Sequence, residues 1–490
     1  MPRPGSDPIR SGDWTPLALK LLLLVRRRRG GSPCPRRHAH MHQVVVDSAK
    51  PNALDRFLSL FASVRPAEGG TALLLMINVF VLLTAYYIIK PVREAMILSE
   101  AGAEIKSYAS AGQAALLLLI IPLYGMLGSR VNRVWLINGV LAFFISNLAI
   151  FFFLGQMGVS LGVVFYLWVG LFNVMLVAQF WAFANDIYTQ KKGERLFGVV
   201  GIGASLGAIL GAKLAGWMFE PVGLYGMMLI SAAFLGASMI LTTWTHLREK
   251  HQVVAREASK NETSDRPLGT EGGFQLILKS RYLLMIALLV LISNCVNTTG
   301  EFILGKTVAE NAQTATAGSG ADASAAEKNF IGQFYADFYF WVNLFGALVQ
   351  MFAVSRIMQY WGVGTALFFL PVIALGGYTM LALVPVLSLI RIAKIVENTA
   401  DYSIQNTARH ALFLPTSREA KYKAKAAVDS FFWRVGDALS GLIVFVGTQL
   451  ALSPRIFATV NVVLVVVWLG IALAIVRYMK EGPSATRIAA

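Results

Sequence analysis

The sequence has little charge and almost no cysteine. Of its 490 residues only 14% are charged, whereas soluble globular proteins carry about 25%. Its two cysteines, Cys34 and Cys295, lie far apart in a basic stretch and an apolar run, which suggests neither a disulfide framework nor a metal site. The hydrophobic runs are continuous. The strands of a membrane β-barrel would instead alternate apolar and polar residues, so the pattern argues against a β-barrel. With 56% hydrophobic residues, the composition predicts a polytopic helical membrane protein.

Apolar segments of about 20 residues, the length that crosses a bilayer, recur from Thr71 onward. We count twelve, six on either side of a polar connection, and predict an all-α membrane protein with two six-helix bundles. The predicted parts are a basic, disordered cytoplasmic tail, an amino-terminal bundle, a cytoplasmic linker, a carboxy-terminal bundle and a short tail. They cover residues 1–68, 69–246, 247–280, 281–480 and 481–490.

The formal net charge is +16, and much of it lies in the first fifty residues and in alternate short loops. Lys191 and Lys192 follow one span, for example, whereas the preceding loop Gly155–Ser160 contains no cation. This alternation indicates orientation by the positive-inside rule rather than nucleic-acid binding. We therefore predict a multi-pass protein of a bacterial-type inner membrane, with both termini in the cytoplasm and no nucleic-acid partner.

The predicted tenth span, residues 386–414, is unusually polar. At about 100° per residue its polar side chains fall within one arc. They are Arg391, Lys394, Asn398, Asp401, Gln405 and Arg409. Charges that face lipid cost several kcal/mol, and ionisable groups within a membrane usually mark an ion or substrate path. We therefore predict that this polar stripe borders a hydrated cavity.

Two further spans carry charged residues near their ends. Lys90, Arg93 and Glu94 lie on one side of the helix around Pro91 at the end of the first span, where they either snorkel to the interface or line the mouth of the cavity. Glu301 follows a group of amides in the seventh span and is either an interfacial helix end or a cavity carboxylate. Arginine and lysine in excess predict a phosphate or carboxylate ligand.

We therefore assign substrate binding to Lys90, Arg93, Glu301 and the six residues of the polar stripe. Within this set, Glu301 and Asp401 would balance charge or couple transport to a proton or counter-substrate.

Two short motifs match enzyme patterns outside their usual context. Residues 300–307, GEFILGKT, match a phosphate loop but end an apolar span instead of joining a strand to a helix. Residues 203–207, GASLG, match a nucleophile elbow and lack the same setting. The spacing of Gly203, Gly207, Gly211 and Ala215 instead predicts close packing of two spans. We find no catalytic set, and predict no enzyme activity, metal site or cofactor.

Three blocks of the sequence resemble the ATP/ADP translocase family, the nucleotide transporters of plastids and intracellular parasites. That family is related to the major facilitator fold. The blocks are YYIIKPVREAMILSEAGAEIKSY, FWAFANDIYTQKKGERLFGVVGIGASLG and NTADYSIQNTARHALFLPTSREAKYKAKAAVDSFFWRVGDALSG.

This resemblance implies a major-facilitator-like exchanger of adenine nucleotides. Arg93 and Arg409 stand where the family has lysines, and Glu301 resembles its glutamate of the seventh-to-eighth-span region. The family's acid in the fourth or fifth span has no counterpart in residues 169–179.

We therefore predict a monomeric secondary transporter in the lipid bilayer that moves a nucleotide or similar phosphorylated anion by alternating access through a cationic central cavity. Two alternatives stay open at this point. One is a proton-coupled facilitator of an unrelated organic solute, and the other is a non-transporting membrane scaffold or sensor.

Overall fold

The computed structural model describes residues 68–128, 133–188, 190–253, 272–318, 322–417 and 419–481. Most of the predicted basic tail, the central part of the linker and nearly all of the final tail lie outside these ranges. All regular structure in the described ranges is helical, and no strand occurs among them.

The helices are numbered along the chain, and four π-helical turns interrupt the later ones. The helices are α1 Gly69–Glu100, α2 Gly102–Gly128, α3 Arg133–Gln156, α4 Gly162–Ile187, α5 Gln190–Val253, α6 Gly273–Lys279, α7 Arg281–Thr316, α8 Ala323–Val349, α9 Ser355–Tyr360, α10 Gly362–Leu383, α11 Leu387–Ala400, α12 Asn406–Ala411, α13 Lys425–Ala427, α14 Trp433–Gln449 and α15 Pro454–Glu481. The π-helical turns are Gln350–Val354, Asp401–Gln405, Ala420–Ala424 and Val428–Phe432.

The described residues contain nine helices that are long and apolar enough to cross a membrane. One of these, α5, holds two spans, because Gly223 follows Pro221 and has a positive φ of 72° that breaks the helix. Helix α2 and the polar segment of residues 387–411 complete the twelve predicted crossings. The predicted all-α, polytopic class is confirmed. The boundaries between two six-helix bundles stay a prediction.

A row of small residues on α5 lies directly against α1. A Cβ atom added at Gly203, Gly207 or Gly211 would overlap a backbone carbonyl of α1. The carbonyls belong to Met76, Phe80 and Thr84. The prediction that this row allows two spans to pack closely is therefore confirmed, and the resulting contact holds α1 in place.

Helices from the first part of the chain pack on helices from the last part. Helix α8 packs on α1 and α5, and α14 packs on α2. These contacts place the charged ends of α1 and α2 opposite α7 and α8, where the candidate site forms.

Candidate functional site

Lys90 lies within a cage of tyrosine rings at the centre of the site. Its Nζ atom is 3.9 Å from the ring centroid of Tyr339, 5.2 Å from that of Tyr87 and 5.9 Å from that of Tyr86. The side chain is buried, and among the described residues it forms no ion pair or hydrogen bond. Aromatic faces attract a cation but carry no negative charge. The ammonium group is therefore available to an anionic ligand.

Arg93 and Lys106 share a single buried carboxylate. The Arg93 guanidinium is bonded to Glu94 and lies 4.8 Å from the ring centroid of Tyr166. Lys106 reaches the same carboxylate from α2, with its Nζ 2.7 Å from Oε2. Glu94 is fully buried, so these two ion pairs compensate a charge that would be costly if it were unpaired in a low-dielectric environment. With Lys90, this cluster has three cations for one acid and a net positive charge.

A second cluster, on α7 and α11, has the opposite balance. Lys394 is fully buried, and its Nζ lies 2.9 Å from the Asn297 side-chain oxygen, 3.2 Å from Glu397 and 3.5 Å from Glu301. Asn398 donates a hydrogen bond of 3.1 Å to Glu301. One lysine therefore serves two carboxylates, and no excess of positive charge arises on this side.

The two clusters face each other across Glu301. This carboxylate interacts electrostatically with Lys90 and Lys106 as well as with Lys394. Tyr402 of the π-helical turn Asp401–Gln405 lies near Glu301 and Tyr87 and is 45% exposed. The site thus has cations mainly on α1 and α2 and acids mainly on α7 and α11.

The polar stripe changes direction at the π-helical turn Asp401–Gln405. Asp401 lines a small polar void with Asn294, Asn297 and Glu397, and forms no ion pair or hydrogen bond among the described residues. Gln405 is buried, and neither polar atom of its amide finds a hydrogen-bond partner there. A π turn inserts one residue into the helix and is frequent at functional sites. Residues beyond it therefore leave the arc predicted for a regular helix.

Arg409, beyond this turn, lines a separate cavity of about 320 Å³. Its lining includes Ala114 of α2 and Val174 of α4, together with Arg409, Asp429 and Arg434 from the later part of the chain. Arg409 Nε lies 3.9 Å from Asp429 Oδ1, and neither atom has a hydrogen-bond partner within the described part of the chain. The Arg409 guanidinium is thus loosely paired at a cavity between early and late helices.

Arg391 lies apart from both clusters. It is paired with Asp337 of α8 at one end of a groove whose lining belongs entirely to α8 and α11. The structure therefore brings Lys90, Arg93, Glu301, Lys394 and Asn398 into one site, with Asp401 beside it. Arg409 opens to its own cavity, and Arg391 faces the groove.

Two ion pairs connect helices at the end of the bundle where α1 ends. Glu100 accepts a bond of 2.8 Å from Lys328 of α8, and Glu104 pairs with Lys306 of α7 at 3.0 Å. The second oxygen of Glu100 accepts the backbone N–H groups at the start of α4, including that of Gly162 at 2.7 Å. At this end, ion pairs therefore join α1 to α8 and α2 to α7.

Two parts of the chain match models of known transporter families. The model of the Major Facilitator Superfamily matches residues 75–396, which is well over half of the chain. The chain belongs to the Major Facilitator Superfamily. This is a superfamily of transporters rather than of enzymes. The model of the TLC ATP/ADP transporter matches residues 349–479 of this facilitator, so the resemblance predicted from the sequence is confirmed.

Curated relatives of the facilitator carry names of the same kind. The "ADP,ATP carrier protein 1" of Chlamydia pneumoniae is 24% identical over 341 residues, covering 61% of this chain and 63% of the relative. The chloroplastic "ADP,ATP carrier protein 1" of Arabidopsis thaliana is 23% identical over 61% of this chain and 51% of its own length. The match thus spans less than two thirds of each of these relatives.

Two solved structures share the fold of the facilitator. The nucleoside transporter NupG has a TM-score of 0.53 at 13% identity, over 84% of this chain and 99% of that chain. A bacterial homologue of the human lysosomal transporter Spinster, in an inward-facing and unoccupied conformation, has a TM-score of 0.51 at 16% identity, over 85% and 98%. These similarities confirm the predicted major-facilitator-like, multi-pass fold.

Sequence analysis missed several groups of the site. Glu94 was placed beside Lys90 and Arg93 but not assigned to the site, and Lys106 was not singled out. Only the packing of α1 against α2 shows that both are buried. The tyrosines around Lys90 come from α1 and α8, which are distant in sequence. The pair YY before the lysine was the only local signal of an aromatic cage.

Proposed function

We propose that this facilitator is a secondary transporter that exchanges nucleotides or similar phosphorylated anions across a cell membrane. The single observation that carries the proposal is Lys90, a buried ammonium group that is surrounded by aromatic rings and forms no ion pair among the described residues. A buried cation without a partner is costly, and an incoming phosphate would remove that cost. The names of the curated relatives, ADP,ATP carriers, support the same class of substrate.

In the proposed complex, phosphate oxygens contact Lys90 and Arg93 on α1. Arg93 can contribute because it has three N–H donors besides the two that it directs to Glu94, and its side chain is partly exposed. Lys394 is already paired with Glu301 and Glu397, so its proposed role is to hold these carboxylates beside the ligand. At the central site, the positive charge for the substrate thus comes from the first span.

Arg409 is proposed to contact the substrate on its way to the central site. Its cavity lies between early and late helices, and the Arg409 guanidinium also lies over the Trp433 ring at 4.8 Å from the centroid. Arginine binds phosphate bidentately, and its loose pairing with Asp429 leaves donors for a ligand. The assignment of Arg391 to the substrate site stays a prediction, because its groove is lined only by α8 and α11.

The arrangement of closed and open regions supports alternating access. Ion pairs join the helices near Glu100 and Glu104. The cavity of Arg409 involves Ala114, ten residues further along α2 than Glu104 and hence about 15 Å towards the opposite end. Breaking the ion pairs while the Arg409 cavity closes would expose the site at the other end. The cytoplasmic location of both termini stays a prediction.

Exchange in proteoliposomes tests the proposal. Vesicles preloaded with ADP should take up labelled ATP, and uptake should require the internal nucleotide. Arg409→Gln should reduce this exchange strongly, whereas Lys480→Gln, a matched loss of one cation at the end of α15, should reduce it only mildly. Equal effects of the two substitutions would remove Arg409 from the substrate path.

A proton-coupled facilitator is the second candidate function. Asp401 favours it, because this carboxylate lines a buried polar void beside Glu397 and has no bonding partner in the described part of the chain. Carboxylates in such positions form proton relays in many transporters. The absence of nucleotide exchange under any gradient, combined with solute uptake driven by a pH gradient, would favour this candidate.

A further inference from the structure

A groove of about 600 Å³ runs along the bundle between α8 and α11. Its walls are aromatic and aliphatic side chains that include Trp341, Phe345, Ile395 and Val396. Ile392 is 57% exposed on the same face. All lining residues belong to these two helices. On α11, the lining residues Ile392 and Val396 are exposed, whereas Lys394 and Glu397 of the candidate site are buried on another face of the helix, so the groove lies outside that site.

The length of the groove matches one leaflet. Its lining on α11 extends from Ser388 to Thr399, and eleven residues of helix span roughly 16 Å. The hydrocarbon core of a bilayer is about 30 Å thick, so one leaflet contributes about 15 Å. One acyl chain that enters from the membrane surface would therefore fill the groove along its length.

The end of the groove nearest the membrane surface is charged. Arg391 lies four residues after the start of α11, which directly follows the short connection from α10. It pairs with Asp337 of α8, and the two side chains are 35% and 42% exposed. The Arg391 guanidinium also lies 5.6 Å from the ring centroid of Phe334. The groove thus combines a pair of opposite charges at the surface with an apolar channel that extends inwards.

We infer that this groove binds one phospholipid with a zwitterionic, amine-bearing headgroup, such as phosphatidylethanolamine. The phosphate would bond to Arg391, the primary ammonium would bond to Asp337, and one acyl chain would lie along α11. Both protein charges keep an opposite partner in this arrangement, which is needed because unpaired charge at the edge of the hydrocarbon core is costly.

The charge pair also predicts which lipids bind less tightly. A choline headgroup has a quaternary ammonium without N–H groups, so it cannot donate a hydrogen bond to Asp337. A glycerol headgroup leaves the phosphate charge uncompensated beside Asp337. One charge-assisted hydrogen bond corresponds to about tenfold in affinity or more. Phosphatidylethanolamine should therefore bind at least about tenfold more tightly than phosphatidylcholine or phosphatidylglycerol.

Native mass spectrometry of the purified full chain, titrated with the three dioleoyl phospholipids separately, tests this inference. Asp337→Asn should abolish the preference for phosphatidylethanolamine over phosphatidylcholine, because the amide no longer attracts the ammonium group. Arg356→Gln serves as the matched control. Arg356 lies on α9 outside the groove and bonds to a backbone carbonyl, so its loss should leave the preference intact.

A second variant keeps the test decisive if Asp337→Asn does not fold. Val396→Trp fills the groove at an exposed position and leaves the ion pair in place, so it should weaken binding of phosphatidylethanolamine about tenfold or more. Equal affinities of the wild type for phosphatidylethanolamine and phosphatidylcholine would overturn the inference. So would tighter binding of phosphatidylglycerol, or a preference that persists in Asp337→Asn.

Discussion

Lys90→Gln is the substitution that most directly tests the proposed site. In the unliganded protein the Lys90 ammonium contacts tyrosine rings and has no acidic partner among the described residues. A phosphate bound there would gain a charge-assisted hydrogen bond, which contributes about 1.5–3 kcal/mol. Loss of that bond corresponds to roughly ten- to hundredfold in affinity. We therefore expect the Kd for ADP to rise by this factor in Lys90→Gln.

Lys90→Gln should weaken ADP binding without lowering the thermal stability of the protein. Removal of a buried charge that forms no ion pair in the described part of the chain also removes its desolvation cost, so the Tm without ligand should stay equal or rise. Lys394→Gln provides the contrast, because it leaves Glu397 and Glu301 without the cation that lies 3.2 and 3.5 Å from them. Breaking a buried pair costs about 3–5 kcal/mol, so Lys394→Gln should lower the Tm clearly.

Calorimetric titration of ADP into the full chain in nanodiscs gives the Kd, and tryptophan fluorescence on heating gives the Tm. Lys213→Gln is the matched control. Lys213 lies 4.9 Å from the ring centroid of Phe340 and 5.4 Å from that of Trp217, which is 63% exposed, so it makes the same type of contact on an outer surface. An unchanged Kd in Lys90→Gln, or a fall in Tm as large as that of Lys394→Gln, would refute the reasoning.

Three further predictions concern the closed end, the α1–α5 contact and the tyrosine cage. Lys306→Glu should lengthen the distance between spin labels on α2 and α7 at this end, because it opposes Glu104, and adding Glu104→Lys should restore the distance. Gly207→Ala should lower the Tm through an overlap that costs about 1–3 kcal/mol, whereas Gly236→Ala, which meets nothing within 4 Å, should not. Tyr339→Phe keeps the ring beside the Lys90 ammonium and removes only the 3.3 Å hydrogen bond that the hydroxyl donates to Glu94, whereas Tyr339→Leu removes the ring as well, so ADP affinity should fall further in Tyr339→Leu.

Much of the fold could be predicted because it depends on local properties of the chain. Twelve apolar segments, a polar connection and a glycine row at helical spacing are each visible within a few tens of residues. The hydrocarbon core offers no water to bond backbone N–H and C=O groups, so these groups form hydrogen bonds within each apolar segment, which makes the segment a helix. The glycine row predicted a close contact without naming its partner, and the structure identifies that partner as α1.

Less of the candidate site could be predicted. The polar stripe was assigned to one face of the tenth span on the assumption of a regular helix with 3.6 residues per turn. The π-helical turn Asp401–Gln405 breaks that period, so Arg409 lines a cavity of its own. Sequence also counted Arg391 and Lys394 as excess positive charge, whereas the structure pairs them with Asp337, Glu301 and Glu397.

The sequence alone determined that this protein is a helical membrane protein with charged groups inside its spans, because hydropathy and length act within each segment. Tertiary structure decided which of those charges are neutralised and which are left for a ligand. Electrostatic pairing depends on distances of 3–4 Å between side chains from separate helices. Only the packing of α1, α2, α7, α8 and α11 sets those distances. In the described part of the chain it places Lys90, rather than the lysine and arginines of the polar stripe, as a buried cation against tyrosine rings and without an ion pair.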